Sequence, residues 1–502
     1  MRILVRNASL VGADGATALA LDGDRIAWLG DEDGAAAWSD ADRVHDLGGR
    51  LVTPAFVDAH AHVVQTGEQL DGLDLTGARD LRDLHDRVAA YSARHPRSAV
   101  VVGAGWDETT WPERGIPTAG QLERAAPGRR VYLARVDGHS AVVSHTLLAE
   151  TPGIEECEGY TADGWLERDA KLRMTDRLGN LVGPADRLAH ARTALQAMAR
   201  LGIGAVHENA APHIGPDWEL DVVRRAATEV GMHLTAYWGA IEAWDDLARL
   251  DVTGLAGDLN ADGAVGSRTA ALRTPYADAP GRGHVFLDAD TIAAHVAGCT
   301  ERGIQAGLHC IGDAAMDAVG EGFAKAESQV GTAAMIACRH RLEHVEMPSA
   351  EVVGLLARLG VVASVQPMFD ALWGGPHAMY ADRLGDRWPQ VNPFATLHAA
   401  GVPLAFGSDS PVTPLDPWDA VRAACHHRTP GQALPAEVAF DAHTRGGWYA
   451  ARIDDAGRLA VGERATYAVW DTRAFPDLAK GAPSPRCLAT VVEGRTIFEE
   501  DL

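Results

Sequence analysis

The sequence predicts an α/β protein: a (β/α)8 barrel, with a small β-sandwich domain built from both chain ends and a large insertion after barrel strand 1. Three observations carry that prediction. Eight short apolar runs recur through the middle of the chain, each followed by helical periodicity, which is the pattern of parallel βα units. Both chain ends instead alternate short β-rich runs with turns. Residues 63–200, between the first and second apolar runs, are far too many for one crossover helix.

The chain starts with ILVRNASLV, ALALDGDRIAWLG with its Asp-Gly-Asp turn, and RVHDLGGRLVTPAF. It ends with RLAVGERATYAVWDT and CLATVVEGRTIFEE, which have the same texture. Residues 1–50 and 457–502 are therefore expected to meet in one composite β domain beside a central domain of residues 51–456. The eight barrel runs are LVTPAFVDAH (51–60), GIGAVHE (202–208), MHLTAYW (232–238), LAGDLNADG (255–263), IQAGLHCIGD (304–313), RHRLEHVE (339–346), VVASVQP (361–367) and VPLAFGSDS (402–410). Eight parallel strands with intervening helices point to a closed barrel rather than an open sheet. The insertion has strand-like runs of its own, AVVVGAGW and RVYLARV, and a helical stretch, RDLRDLHDRVAAYSARH. Loops on the C-terminal side of barrel strands build active sites, so this segment is expected over the barrel mouth as a lid or substrate wall.

With 502 residues the chain has room for a barrel and accessory parts, and 47% hydrophobic with 23% charged residues is ordinary for a globular protein. No apolar run approaches the ~18 residues of a membrane span. The start MRILVRNASLVGADG is broken by Arg6 and Asn7, which predicts no secretory signal and a cytoplasmic protein. A formal net charge of −24 repels phosphate backbones and anionic membranes, so neither nucleic acid nor membrane is the expected partner. A small neutral or cationic molecule suits that charge better, and a homodimer stays open. Six scattered cysteines without a CxxC pair read as reduced thiols.

The chemistry lies in the polar residues at the strand ends. Strand one ends Asp58-Ala-His60-Ala-His62, and a period of two points His60 and His62 to the same side. Strand five carries His309, strand six His344 and strand eight Asp409, all at the catalytic C-terminal ends. Four imidazoles and a carboxylate converging from four strands match what Zn2+ or a similar divalent metal accepts.

With these residues in view, the chain resembles the amidohydrolase superfamily, whose pattern is His-x-His on strand one, His on strands five and six, and Asp on strand eight. Further segments are similar to the branch that includes N-substituted formamide deformylase: GWDETTWPERGIPT, DGHSAVVSHTLL, DGAVGSRTAAL, LHCIGDAAMDAV, RHRLEHVE, SVQPMF and FGSDSPV. The resemblance implies that His60, His62, His309, His344 and Asp409 form the metal and catalytic set, holding one or two zinc ions. Two positions depart from the branch. Asp258 stands four residues before an Asp-Gly pair, where the branch has a lysine and binuclear relatives use a carboxylated lysine as a metal bridge. An aspartate bridge would need the metals or the strand to shift; a mononuclear site, or Glu208 from strand two as the missing carboxylate, are the alternatives. Val142, followed by Ser144 and His145, replaces the branch's tryptophan and Asn-Ser.

The expected reaction is hydrolysis of a carbon–nitrogen bond other than a peptide bond, in an amide, N-acyl or N-formyl group of a small molecule, by metal-activated water. Asp409 is the expected base, taking a proton from water and passing it to the leaving amine. His344 is expected to hold a second metal or to meet the developing oxyanion. Asp313 and Glu343 are candidates to orient imidazoles. Arg268, in a loop with Asp262 and Ser267, could meet a substrate carboxylate, or could equally fix the loop by a salt bridge. His139, Gln366 and Trp106 are candidate substrate-pocket residues, with Trp111 and Trp373 as further wall. Deamination of a heterocycle and ester or lactone hydrolysis are the rivals on the same barrel, followed by a barrel that binds metal or ligand without turnover.

Overall fold

The computed structural model describes residues 1–96, 98–179 and 181–500; the predicted C-terminal boundary at residue 502 falls outside them. Each predicted apolar run overlaps one barrel strand. They are β1 (Phe56–Ala61), β2 (Ile203–Ala210), β3 (His233–Trp238), β4 (Gly254–Leu255), β5 (Gln305–Cys310), β6 (Arg341–His344), β7 (Val362–Val365) and β8 (Leu404–Phe406). They pair in chain order, all in parallel. The barrel closes through a parallel bridge between Ala61 and Ser410, with the Asp409 N–H donating to His60 O at 2.7 Å and the His62 N–H to Ser410 O at 2.9 Å. Closure is possible because position 407 is glycine: a Cβ there would lie 2.4 Å from the His60 nitrogen.

The helices cover the barrel by burying one stripe each. In the helix Ala350–Leu359 the buried residues are Val352, Val353, Leu356 and Leu359, a helical spacing that faces the core. Ser349 caps its start by accepting from the Val352 N–H, and Gly360, at φ 63°, ends it in the left-handed conformation. Leu356 is fully buried, so Leu356→Ala should cost about 2–5 kcal/mol.

Strand four is shorter than predicted. After Leu255 the chain leaves the ladder, because Gly257 takes φ +81° beside Asn209 and the backbone of Asp258 runs against Gly239, where a Cβ would lie 2.8 Å away. The turn carries Asp258 inward, toward His60, His62, His309 and His344.

Strands from both ends of the chain form one seven-stranded sheet. Ile3, Leu19, Ile26, Val52, Val469 and Val491 share its apolar core, and the Ile26 N–H donates to Glu463 O at 3.0 Å, joining strand Arg25–Gly30 to the C-terminal segment. Trp470 of this sheet packs edge-on against Phe56 at the base of β1, with ring centroids 5.8 Å apart. Between β1 and β2 a separate five-stranded sheet includes Val101–Trp106 and Val131–Arg135, the two runs read as strands, and the predicted helix spans Leu81–Arg94 with Asp80 as its cap. No helix among the described residues is long and apolar enough to cross a membrane.

Candidate metal centre

His60 and His309 each stand one residue before the ends of β1 and β5 and His344 ends β6, while Asp258 and Asp409 follow β4 and β8 by three residues each. All are buried. His344 and Asp409 hold positive φ values, 70° and 54°, which non-glycine residues seldom adopt. Such strain is kept where a side chain must be aimed, and both are aimed at one point.

Two groups converge there, with Asp258 in both. His60, His62, Asp258 and Asp409 form the first, and Asp258, His309 and His344 the second. In the first, His60 Nε2 lies 3.4 Å from Asp258 Oδ1 and 3.3 Å from Asp409 Oδ1, and His62 Nε2 lies 3.2 Å from Asp258 Oδ2 and 3.1 Å from Asp409 Oδ1. In the second, His309 Nδ1 is 3.7 Å and His344 Nε2 3.8 Å from Asp258 Oδ1.

In three of the four imidazoles the ring nitrogen facing away from this point is held by an acceptor, and among the described residues His62 Nδ1 has none. His60 Nδ1 donates to Glu343 Oε2 at 2.7 Å, His344 Nδ1 to Gln366 Oε1 at 2.8 Å, and His309 Nε2 to Gly263 O at 3.3 Å. Each acceptor selects the tautomer whose lone pair points inward, the state a metal needs. Glu343 is fixed in turn by Arg341, which also donates to Ala59 O and Ser364 Oγ. Among the described residues, His60 Nε2 and Asp258 Oδ1 are buried without a hydrogen-bond partner. Buried polar atoms are rarely left so, and a divalent cation is the partner this donor set fits.

The electrostatics agree. Burial disfavours the charged forms of His60 and His62, yet the Asp258 and Asp409 carboxylates outweigh it and raise both, His62 to about 10. Asp258 and Asp409 are held well below the usual carboxylate range, since the facing imidazoles, His60 foremost, overcome the cost of burial. Two anions fixed in a dry pocket attract positive charge strongly.

Other predicted residues lie elsewhere. Glu208 joins neither group: it accepts the Val63 N–H at 2.8 Å at the start of the helix Val63–Asp71, and burial pushes its carboxyl up to about 7. Gln366 is not among the residues lining the cavity; its carbonyl accepts from His344 Nδ1. Trp106 is fully buried in the core of the inserted sheet, beside Trp111, rather than in the cavity wall. Trp373 packs on Phe369, whose ring stacks on His344. Arg268 is bound to Asp278 at 2.7 and 3.0 Å, the loop-fixing alternative. Asp313 receives the Arg273 N–H instead of an imidazole. Val142 lies within the inserted sheet, and Ser144 caps the helix His145–Ala149. His139 does line the cavity, its ring 5.0 Å from that of His309, and burial holds it neutral.

Three residues had no reading in the sequence. Asp58 accepts from Ser408 N and Oγ at 2.9 and 2.6 Å and so anchors the loop that carries Asp409. Its place two residues before His60 was the available signal. Lys171 and His213 line the cavity from segments that sequence periodicity shows only as helix and loop.

The centre opens into a cavity of about 380 Å³, bounded by the barrel mouth and by inserted residues such as Tyr132, His139 and Leu178. Fold, ligand set and cavity together define a metal-dependent hydrolase barrel. Residues 43–498 match the model of the amidohydrolase family, and the chain belongs to that family. It is 26% identical over 490 residues to the putative amidohydrolase YtcJ of Bacillus subtilis, covering 90% of each chain. It is 27% identical over 470 residues to imidazolonepropionase of Paracoccus denitrificans, covering 91% of this chain and 88% of that one. Among solved structures, an uncharacterized metal-dependent hydrolase from Pyrococcus furiosus superposes with a TM-score of 0.73 at 24% identity, over 96% of this chain and all of that one.

Proposed function

We propose that the protein hydrolyses an amide, N-acyl or N-formyl group of a small molecule, with His60, His62, Asp258, His309, His344 and Asp409 holding one or two zinc ions. The observation that carries this is the pair of converging groups that share Asp258 and leave inward-facing donor atoms unpartnered. Membership of the amidohydrolase family supports the reaction type, and the segments similar to the N-substituted formamide deformylase branch support an acyl group as small as formyl. Six free cysteines support the cytoplasm as its compartment.

A divalent ion bound by these residues lowers the pKa of water toward neutrality and polarises the scissile carbonyl. The chain supplies the rest. Asp409 turns Oδ1 to both His60 and His62, which leaves its second oxygen to take the proton from attacking water and deliver it to the departing amine. His344, fixed by Gln366 and stacked on Phe369, keeps its Nε2 lone pair toward the centre as a metal ligand. The inserted residues restrict water around the centre, which strengthens each of these interactions.

The test is metal analysis of the purified protein combined with assays for ammonia and for primary amine. Amine plus acid in equal amounts from an amide, in a protein that carries metal, is the expected result. Ammonia from a ring amine would instead establish deamination, and a fully active protein without metal would refute the mechanism.

A further inference from the structure

Of the four lysine and arginine side chains that line the cavity, three are already committed. Arg135 is held by Asp107, Glu108 and Asp137, Arg168 is paired with Glu158, and Arg187 with Glu219. The fourth is Lys171. No hydrogen bond or ion pair is recorded for its ammonium group among the described residues. Lys171 stands on the inserted helix Arg168–Gly179, with Thr175 and Leu178 on the same face one and two turns on, and all three line the cavity. The two carboxylates whose charge acts on it, Asp137 and Asp258, are engaged elsewhere, Asp258 by the imidazoles of the metal centre. Asp137 is bound by Arg135 at 2.6 Å, by Ser267 Oγ at 2.7 Å and by the His139 N–H, while Asp169, two residues away on the helix, is exposed. The surrounding wall is apolar, with Val102, Tyr132, Val136, Ile214 and Phe286.

We infer that Lys171 is a specificity residue that binds an anionic group of the substrate, so that the preferred amides carry a carboxylate at the end remote from the metal centre, as N-acylated amino acids do. This rests on the proposed amide hydrolysis. It reverses the expectation drawn from the net charge of −24: an ammonium with no hydrogen-bonded partner acts at short range inside the cavity, whereas net charge acts over the whole surface. Burial has pushed the Lys171 ammonium down to about 8, as befits a cation waiting for a counter-charge. An ammonium set among apolar lining residues such as Val102, Tyr132 and Phe286 favours a ligand with an apolar body and one anion.

The experiment uses zinc-loaded full-length protein with N-formyl- and N-acetyl-phenylalanine of both hands, each compared with its decarboxylated counterpart. The expected result is a kcat/KM ratio favouring the carboxylate, which falls about 10- to 100-fold in Lys171→Gln and is largely kept in Lys171→Arg, the range of a charge-assisted hydrogen bond. Hydrolysis of both amides at a ratio that Lys171→Gln leaves unchanged would overturn the inference while sparing the proposed function. If no amide is cleaved, that function fails, and calorimetric binding of the same pairs decides. Carboxylate-selective binding lost in Lys171→Gln upholds the role of Lys171, and equal or absent binding rejects it. Circular dichroism checks that the variants keep the parental fold.

Discussion

Asp258→Ala removes the one carboxylate that faces both halves of the metal centre. Its oxygens lie 3.2–3.8 Å from the imidazole nitrogens of His60, His62, His309 and His344, so its loss leaves each half without a shared anion. Loss of an orienting residue behind a ligand typically weakens metal binding 10- to 100-fold, and loss of a direct ligand at least that much. At a free zinc concentration 100 times the parental Kd, one bound ion stabilises the fold by about 2.7 kcal/mol. With Kd raised ~100-fold, the same zinc contributes only about 0.4 kcal/mol. The metal-free fold should change less, because the imidazoles can shed their protons once Asp258 is gone. The assay is elemental analysis of dialysed protein, with thermal unfolding measured with and without added zinc. The expected outcome is less than half the parental metal and a much smaller shift on zinc addition. Parental metal content in Asp258→Ala would show that Asp258 is not a shared ligand.

Asp409→Asn should abolish turnover with the circular dichroism spectrum intact, and unchanged activity would remove Asp409 from the role of base. Glu343→Gln, which disturbs the carboxylate behind His60, should weaken zinc about 10- to 100-fold in a competition titration with a chelator. Glu108→Gln should destabilise the protein by roughly 1–3 kcal/mol, since Arg135 and Arg383 lose their shared anion but keep Asp107, Asp137 and Asp278; denaturant unfolding measures it. Glu108 also sets a pH dependence. Burial raises its carboxyl but Arg135 outweighs burial, so the folded pKa lies below the unfolded value of about 4.3. Its contribution is therefore present above that pH and lost as the pH falls, and the Glu108→Gln variant should show a shallower acid-unfolding slope.

The barrel was legible because its strands are short apolar runs that end in chemistry-bearing residues, and pleat alone put His60 and His62 on one side. His309, His344 and Asp409 followed from the same logic. Asp258 was not legible in that way: whether it points inward depends on the left-handed Gly257 and the close pass beside Gly239, neither of which has a periodicity to read. Gln366 and Trp106 were misplaced for a related reason. A strand-end glutamine can face the cavity or the back of an imidazole, and a tryptophan can wall a pocket or fill a core; partners in space decide, not spacing. Lys171 carried no signal at all, since a lysine in RDAKLRMTDRLG reads as the solvated face of a helix until the barrel mouth is placed beneath it.

The aspartate that stands where the resemblance to binuclear amidohydrolases implies a carboxylated lysine also bears on how the site matures. A lysine becomes a bridge only after it has captured carbon dioxide, so such centres assemble in proportion to dissolved bicarbonate and lose their bridge when it is stripped away. Asp258 is genetically encoded in its final chemical state and already faces His60, His62, His309 and His344. Refilling the stripped protein should therefore need metal alone and proceed at the same rate in degassed and bicarbonate-rich buffer.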